Sequence, residues 1–456
     1  MTDHGTPARR VDRLALAAVA LVGGLTLLVA RWGQDLIAAG TRLSANAAPF
    51  HGRWRDTAAS PIEAAAVVPP VVGAIVLVVS WPLVARRLHE RAVPWAAALV
   101  SLWWAVQLAA VPGVARVWEP LTSRYEYLRL ARSVNDLGRF LSTYVDRLPG
   151  YPTHVRGHPP GAVVGFWVLD RLGFDARAVG FTVFAIAASS AAAVVITLAR
   201  LGGAAVARRG AVIAGLTPSL VWWSAADAVF MALAAWSVAF AAVAATASGP
   251  ARRRAGYAAA GACAGLLVIS TYGAAPLLAP LAAVLGWGLW SRRTHRGACA
   301  LDLAALAIAA SAPVVALGLA GFSWLDGFAA TRAEYWAGAA ANRPFAYFAI
   351  ANVVLVLTAA GPATIGGLAR CAIGMRRRPV RVPAWSIATL GAIAGVAIAD
   401  MSGYSKGEVE RIWLPLVPWL AVAGSALMTR TSAARLWLGA QLATGLALQI
   451  WLGTPW

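Results

Sequence analysis

The feature that most constrains this chain is a run of about 20 apolar residues that recurs from one end to the other. That is the length a helix needs to cross a hydrocarbon core about 30 Å thick. The runs fall at 13–31, 62–85, 92–112, 176–199, 210–225, 227–247, 256–273, 275–291, 299–320, 345–369, 382–399, 412–429 and 434–453. They predict an all-α polytopic membrane protein with about 13 transmembrane helices, a single integral membrane domain over 1–456. Composition agrees. Of 456 residues 60% are hydrophobic and 13% charged, with mean hydropathy +0.67, whereas soluble chains carry about 25% charged residues.

The formal charge of +20 would ordinarily raise nucleic acid as a partner. Here the arginines sit in short turns after every second span: Arg86, Arg87, Arg91; Arg200, Arg208, Arg209; Arg252, Arg253, Arg254; Arg292, Arg293, Arg296; Arg376, Arg377, Arg378, Arg381. Basic residues on alternate turns mark the cytoplasmic side. The expectation is a multi-pass protein of the plasma (inner) membrane with its N-terminus cytoplasmic. The charge then meets anionic membrane lipids and no nucleic acid. The basic N-terminal stretch leads into an apolar run with no small-residue cleavage site, so it reads as a retained first helix. Cys263, Cys299 and Cys371 show no metal spacing and form no extracellular disulfide framework.

The remaining connections, 32–61, 113–175, 321–344 and 400–411, hold most of the 19 acidic residues and are expected outside. Loop 113–175 is too short for a core of its own. Within it Val134, Leu137, Phe140, Leu141, Tyr144, Val145 and Leu148 recur at helical spacing, which predicts one amphipathic juxtamembrane helix on the membrane surface. A second juxtamembrane helix follows Pro159–Pro160 to Leu172; at about 12 residues it is too short to cross.

Four polar constellations lie on this outer face. In Trp118-Glu119-Pro120 to Ser123-Arg124-Tyr125-Glu126-Tyr127, a carboxylate close above the hydrocarbon is a candidate base. Pairing of Glu119 or Glu126 with Arg116, Arg124 or Arg129 on a solvated surface explains it equally well. His154-Val155-Arg156-Gly157-His158-Pro159-Pro160 offers two imidazoles and a guanidinium that would order the loop or hold a metal, or it is a structural corner. Asp227, between two apolar segments, is an ionisable residue at costly depth and also a good helix cap. Ser402 to Arg411 contains Lys406, the sole lysine, with Glu408, Glu410 and Arg411. Outer cations suit a phosphate ligand, or Glu408 and Glu410 neutralise them. Arg332, Glu334, Tyr335, Asn342, Arg343 and Tyr347 form a lesser set.

The sequence contains no GxxxxGK[ST], HExxH or GxSxG motif, and the polar residues gather at one face instead of running through the spans. A flippase, another transporter of lipid-linked sugars or an envelope-assembly scaffold would instead require a polar path across the membrane.

Arg124-Tyr125-Glu126-Tyr127 just after a span, His158-Pro159-Pro160 opening a surface helix, Thr217-Pro218 followed by Asp227, and Arg411-Ile412-Trp413-Leu414-Pro415 together resemble the C-type (GT-C) glycosyltransferase superfamily. The nearest groups are protein O-mannosyltransferases and lipid A aminoarabinose transferases. Uncharacterised actinobacterial membrane proteins carry similar segments, and envelope arabinosyl- and mannosyltransferases are similar in layout. The usual acid pair of the first loop is absent here, Tyr125 standing in for its first member.

The resemblance covers roughly 92–280 and 400–418. It implies transfer of a sugar, mannose or arabinose first, from a polyprenyl-phosphate donor to a glycan, lipid or protein acceptor. Glu126 and Asp227 would be catalytic. Lys406, Arg411 and Arg343 would meet the donor phosphate. His158, His154 and Arg156 would order the loop or hold a metal, and Glu119, Glu408 and Glu410 would be secondary acids. No cofactor is certain, and no ligand spacing demands a divalent metal.

Overall fold

The computed structural model describes residues 7–43, 45–56, 62–292, 296–377 and 382–456. Arg293, Arg378 and Arg381, placed above in cytoplasmic turns, lie outside them.

The chain is nearly all helical. In order the principal helices are α1 (Pro7–Ala38), α2 (Ala64–Arg87), α3 (Val93–Ala110), α4 (Gly161–Arg171), α5 (Ala176–Gly202), α6 (Asp227–Ala245), α7 (Pro250–Val268), α8 (Ala279–Ser291), α9 (Arg296–Leu319), α10 (Trp324–Ala337), α11 (Phe345–Ala360), α12 (Pro362–Arg377), α13 (Ile387–Met401) and α14 (Thr431–Trp451). Seven helical segments among the described residues are long and apolar enough to cross a membrane, and up to eight if the bent pair α11–α12 is one span. Leu16, Leu21, Leu27 and Leu28 of α1 and Ile308, Val315 and Leu319 of α9 are exposed. Such broad apolar faces at the periphery are what a membrane-embedded protein presents to lipid.

The interior is built on small residues. Helix α6 packs against α5, α7 and α8, and α7 against α9. In α7, Gly261 and Gly265 lie on the backbones of Leu306 and Ala310, where a Cβ would overlap a carbonyl oxygen. This small-xxx-small pair lets two helices meet at backbone distance, the packing that works where no water drives association.

Several expected elements differ. The run 210–225 is no single helix. A turn-rich stretch with Gly215 at φ 140° separates Ala204–Ala211 from the 3-10 turn Pro218–Trp222, because Thr217-Pro218 cannot continue a helix. The run 345–369 bends by 105° between α11 and α12 at Gly361, φ 88°, and Pro362. The run 275–291 is split into Ala274–Leu277 and α8, and 412–429 is a succession of short helical turns.

The amphipathic helix expected over 134–148 is reduced to Leu137–Ser142. Asp136 caps it by accepting from the Arg139 amide, but the Ser142 and Thr143 hydroxyls both bond the Arg139 carbonyl, competing with helix continuation. Its apolar face is as expected, with Val134, Phe140, Leu141, Tyr144 and Leu148 buried. That face packs into protein, with Tyr144 edge-on to Phe322. Helix α4 forms over the stretch expected to be helical after Pro159–Pro160.

A two-stranded antiparallel pair, β1 (Arg53–Trp54) with β2 (Leu452–Gly453), matches Arg53 to Gly453 and Trp54 to Leu452. It ties the segment before α2 to the one after α14 and delivers His51 and Trp456 to the same place.

Candidate functional site

Asp227 is the first residue of α6, one past the cap position, which Ala226 occupies. The capping role weighed from sequence does not hold, since the carboxylate is drawn instead to Arg411, whose Nη1 donates to Asp227 Oδ2. Both are 2% exposed. Their mutual attraction offsets desolvation only because the geometry is close. Arg411 Nη2 also donates to Glu408 Oε2 at 3.1 Å, and its guanidinium lies 4.5 Å from the Trp456 ring. Burial alone would lower the Arg411 pKa. Asp227 and Glu408 outweigh it and raise it, so this residue is a permanent cation.

Glu408 is placed by strain. At φ 62° it is the non-glycine residue with positive φ among the described residues, a conformation that costs about 1 kcal/mol. It follows Gly407, at φ 93°. The turn leads into the short helix Val409–Ile412, which packs on α6 and α11. Glu408 Oε1 stands 3.7 Å from His51 Nδ1 and 3.8 Å from Arg343 Nη2. Burial raises the Glu408 carboxyl, but His51, Arg411, His154 and Arg343 prevail and hold it at about 2. Glu410, fully buried, accepts at Oε1 from the His51 amide at 2.8 Å. Burial dominates there and pushes its pKa to about 7. Two carboxylates two residues apart are thus driven in opposite directions, the pattern that separates acid from base roles.

Glu126 caps the short helix Tyr127–Ser133 by position only. It is 2% exposed. Its Oε1 lies 2.7 Å from His154 Nδ1, while Oε2 is buried with no partner. The surface pairing weighed above is therefore not its environment; Arg124 turns to the Tyr125 hydroxyl instead. The His154 amide donates to the Tyr125 carbonyl at 3.1 Å, which carries the imidazole back onto Glu126. The Tyr127 phenol is raised well above its ordinary pKa by burial, then by Asp227 and Glu126, so the loop acid Glu126 and Asp227 of α6 share one electrostatic environment.

His158 Nδ1 lies 2.7 Å from the His154 carbonyl. A carbonyl only accepts, so the proton sits on Nδ1. Burial lowers this imidazole's pKa, Asp227 partly opposing, and the ring is neutral at pH 7. It packs against Tyr127 and Phe230, each at 5.8 Å, while the Tyr144 hydroxyl lies 2.9 Å from its carbonyl. These contacts order the loop. Arg156 pairs at the rim with Glu334 at 3.0 Å.

Three candidates stand apart from the Asp227–Arg411 pair. Lys406 Nζ donates to the Ala340 carbonyl at 3.0 Å and sits 4.9 Å over Trp336. Arg343 donates to the Lys406 carbonyl and reaches the cluster through Glu408. Glu119 is exposed and acts on Arg116. Among the described residues no three His, Cys, Asp or Glu side chains converge to hold a metal.

The sequence reading missed two members. His51 stacks on Trp456 at 4.8 Å, and His154 lies 5.6 Å from the same ring. Trp456 is thus the floor shared by Arg411, His51 and His154. No protein-family model matches this chain, and no curated protein matches it.

Proposed function

We propose that this chain is a C-type membrane glycosyltransferase, with about thirteen spans in all and a cytoplasmic N-terminus. It moves a sugar, mannose or arabinose, from a polyprenyl-phosphate donor to an envelope acceptor at the outer face of the plasma membrane. The observation that carries the reading is Glu126, a buried carboxylate with one oxygen fixed by His154 and the other without a partner.

That second oxygen is a base in waiting. The acceptor hydroxyl oxygen attacks the anomeric carbon and Glu126 takes its proton. The bond from that carbon to the phosphate oxygen breaks, and the phosphate keeps the electron pair, so polyprenyl phosphate departs. Fixed cations stabilise that departing charge best in a dry site; Arg411 and Arg343 stand against Glu408, and Lys406, held on the Ala340 carbonyl, is the third cation of the reading. Asp227 and Glu408 hold the Arg411 guanidinium in place, which makes Asp227 a positioning residue.

The test is transfer of radiolabelled sugar from polyprenyl-phosphate mannose and arabinose by the purified protein and its Glu126→Gln and Asp227→Asn variants. The reading expects transfer by the native protein and loss in both variants. Native-like transfer by both variants, or none by the native protein with either donor, removes it.

A further inference from the structure

Beside the carboxylate network lies a cavity of about 790 Å³, lined by His51, Arg53, Arg55, Asp56, Arg116 and the 453–455 segment among others. It is separate from Lys406, Arg343 and Arg411. Three guanidiniums share its wall. Burial and then repulsion from Arg53 lower the Arg55 pKa; burial and then repulsion from Arg55 lower that of Arg116. Like charges gathered at one cavity cost free energy unless an anion joins them. Against the three stand two carboxylates, Asp56 on the wall and Glu119 acting on Arg116, and burial lowers the pKa of the His51 imidazole.

The wall is also built in advance. The β1–β2 pair fixes Arg53 opposite Gly453, the Arg55 amide donates to the Trp451 carbonyl at 2.8 Å, and Arg116 Nη2 donates to the Thr454 carbonyl at 2.9 Å and to the Trp456 backbone oxygen at 3.2 Å. Arg55 Nε is buried and donates to nothing. A planar fork with an unused buried donor suits a phosphate oxygen.

We propose that this cavity binds a phosphate-bearing anion, a phosphomonoester or a diphosphate, through Arg53, Arg55 and Arg116. The volume exceeds what one phosphate fills, which leaves room for the group that carries it. The inference stands on the cavity's chemistry and does not depend on sugar transfer.

The test uses the full chain in phosphatidylcholine nanodiscs with two probes. Inorganic pyrophosphate is titrated calorimetrically, and phosphatidic acid is doped into the disc and its occupancy read by native mass spectrometry. Saturable, salt-weakened binding of either probe is expected, with about a tenfold loss in Arg53→Gln/Arg55→Gln and none in Arg124→Gln. Binding of pyrophosphate alone assigns a soluble ligand; binding of phosphatidic acid alone assigns a lipid headgroup. If the double variant does not fold, Arg53→Gln alone is read, with an expected loss of about threefold. No saturable binding of either probe, or equal affinity in native and variant protein, overturns the proposal.

Discussion

Two buried ionic clusters sit at opposite ends of the α6–α7 hairpin, roughly 28 Å apart at 1.5 Å per helical residue. At one end, Asp302 Oδ2 accepts from Arg253 Nε at 2.7 Å and from Arg292 Nη1 at 2.9 Å. At the other, Asp227 meets Arg411, which meets Glu408, with Glu126, Glu410 and three imidazoles close by. The Asp302 cluster joins α7, α9 and the end of α8 with two guanidiniums on one carboxylate. Both guanidiniums converge on the same carboxylate oxygen, and Asp302 Oδ1 is buried without a partner. The Asp227 cluster interleaves fixed charges with groups whose proton affinities are pushed apart, and like Asp302 its Glu126 and Glu410 each keep one unengaged carboxylate oxygen. Burying charge is common to both ends. An unpartnered carboxylate oxygen is common to both as well; what distinguishes the candidate site is that its acids stand against imidazoles, Glu126 on His154 and Glu408 near His51, and that Glu408 and Glu410 are driven in opposite directions.

The widest separation should come from Glu126→Gln. The amide keeps the shape and the His154 contact but cannot take a proton. Transfer should fall by about 10²- to 10⁴-fold, with a melting midpoint close to native. A drop in midpoint with transfer per folded molecule unchanged would make Glu126 a second Asp302.

Asp302→Asn should do the reverse. It leaves the buried Arg253 guanidinium and the half-buried Arg292 without their counter-charge, and breaking a buried pair costs about 3–5 kcal/mol. Thermal unfolding in nanodiscs checks the loss, and transfer per folded molecule should be native. Reduced transfer per folded molecule would mean that the two ends are coupled through α6 and α7.

The pair Glu408 and Glu410 sharpens the contrast through pH. The folded pKa of Glu410, about 7, lies above its ordinary 4.5. The folded chain therefore binds the extra proton between those values, and stability falls as pH rises from about 4.5 to 7, by at most about 1.4 kcal/mol per unit. Glu408, held at about 2, acts oppositely: its contribution is present above 4.5 and is lost as pH falls toward 2. Glu410→Gln keeps an oxygen for the His51 amide and removes the titration. Its unfolding midpoint should exceed native at pH 8 and match it near pH 4.5. An unchanged pH slope between 4.5 and 7 would mean that Glu410 is not the group responsible.

The sequence made some of this legible and hid the rest for physical reasons. Helices 64–87, 176–202 and 227–245 lie within a few residues of the apolar runs that predict them, because one helix period and one bilayer thickness decide both. The break at Gly361-Pro362 was present in the residues but masked by the continuity of hydropathy over 345–369. Glu126, His154, Asp227 and Arg411 stood out as polar residues at the edges of apolar runs. His51 and Trp456 carried no such signal. They arrive through the pairing of Arg53 with Gly453, four hundred residues apart, and no local pattern encodes a contact of that range. Asp302 lies near a span end, while its partners Arg253 and Arg292 read as topology signals. A cytoplasmic arginine and a structural one look the same in sequence.

The smallest expected effect lies at the rim, with Arg156 and Glu334. This pair joins the first large loop to α10 at 3.0 Å, but each side chain is about a third exposed. Water screens it, and such pairs contribute about 0–1 kcal/mol. A double-mutant cycle over Arg156→Gln and Glu334→Gln should give a coupling below about 1 kcal/mol in unfolding, weakening further in high salt. Geometry alone does not separate this pair from Arg253–Asp302; their distances are nearly equal, and burial differs. If the rim pair couples as strongly as the buried one, burial is not what sets the two clusters apart from the surface, and loop 113–175 is held to α10 by charge. If it couples weakly, the loop is held by packing, through Tyr144 against Phe322 and the Thr331 hydroxyl on the Arg156 carbonyl at 2.9 Å. The rim can then open without disturbing the Glu126–His154 contact beneath it.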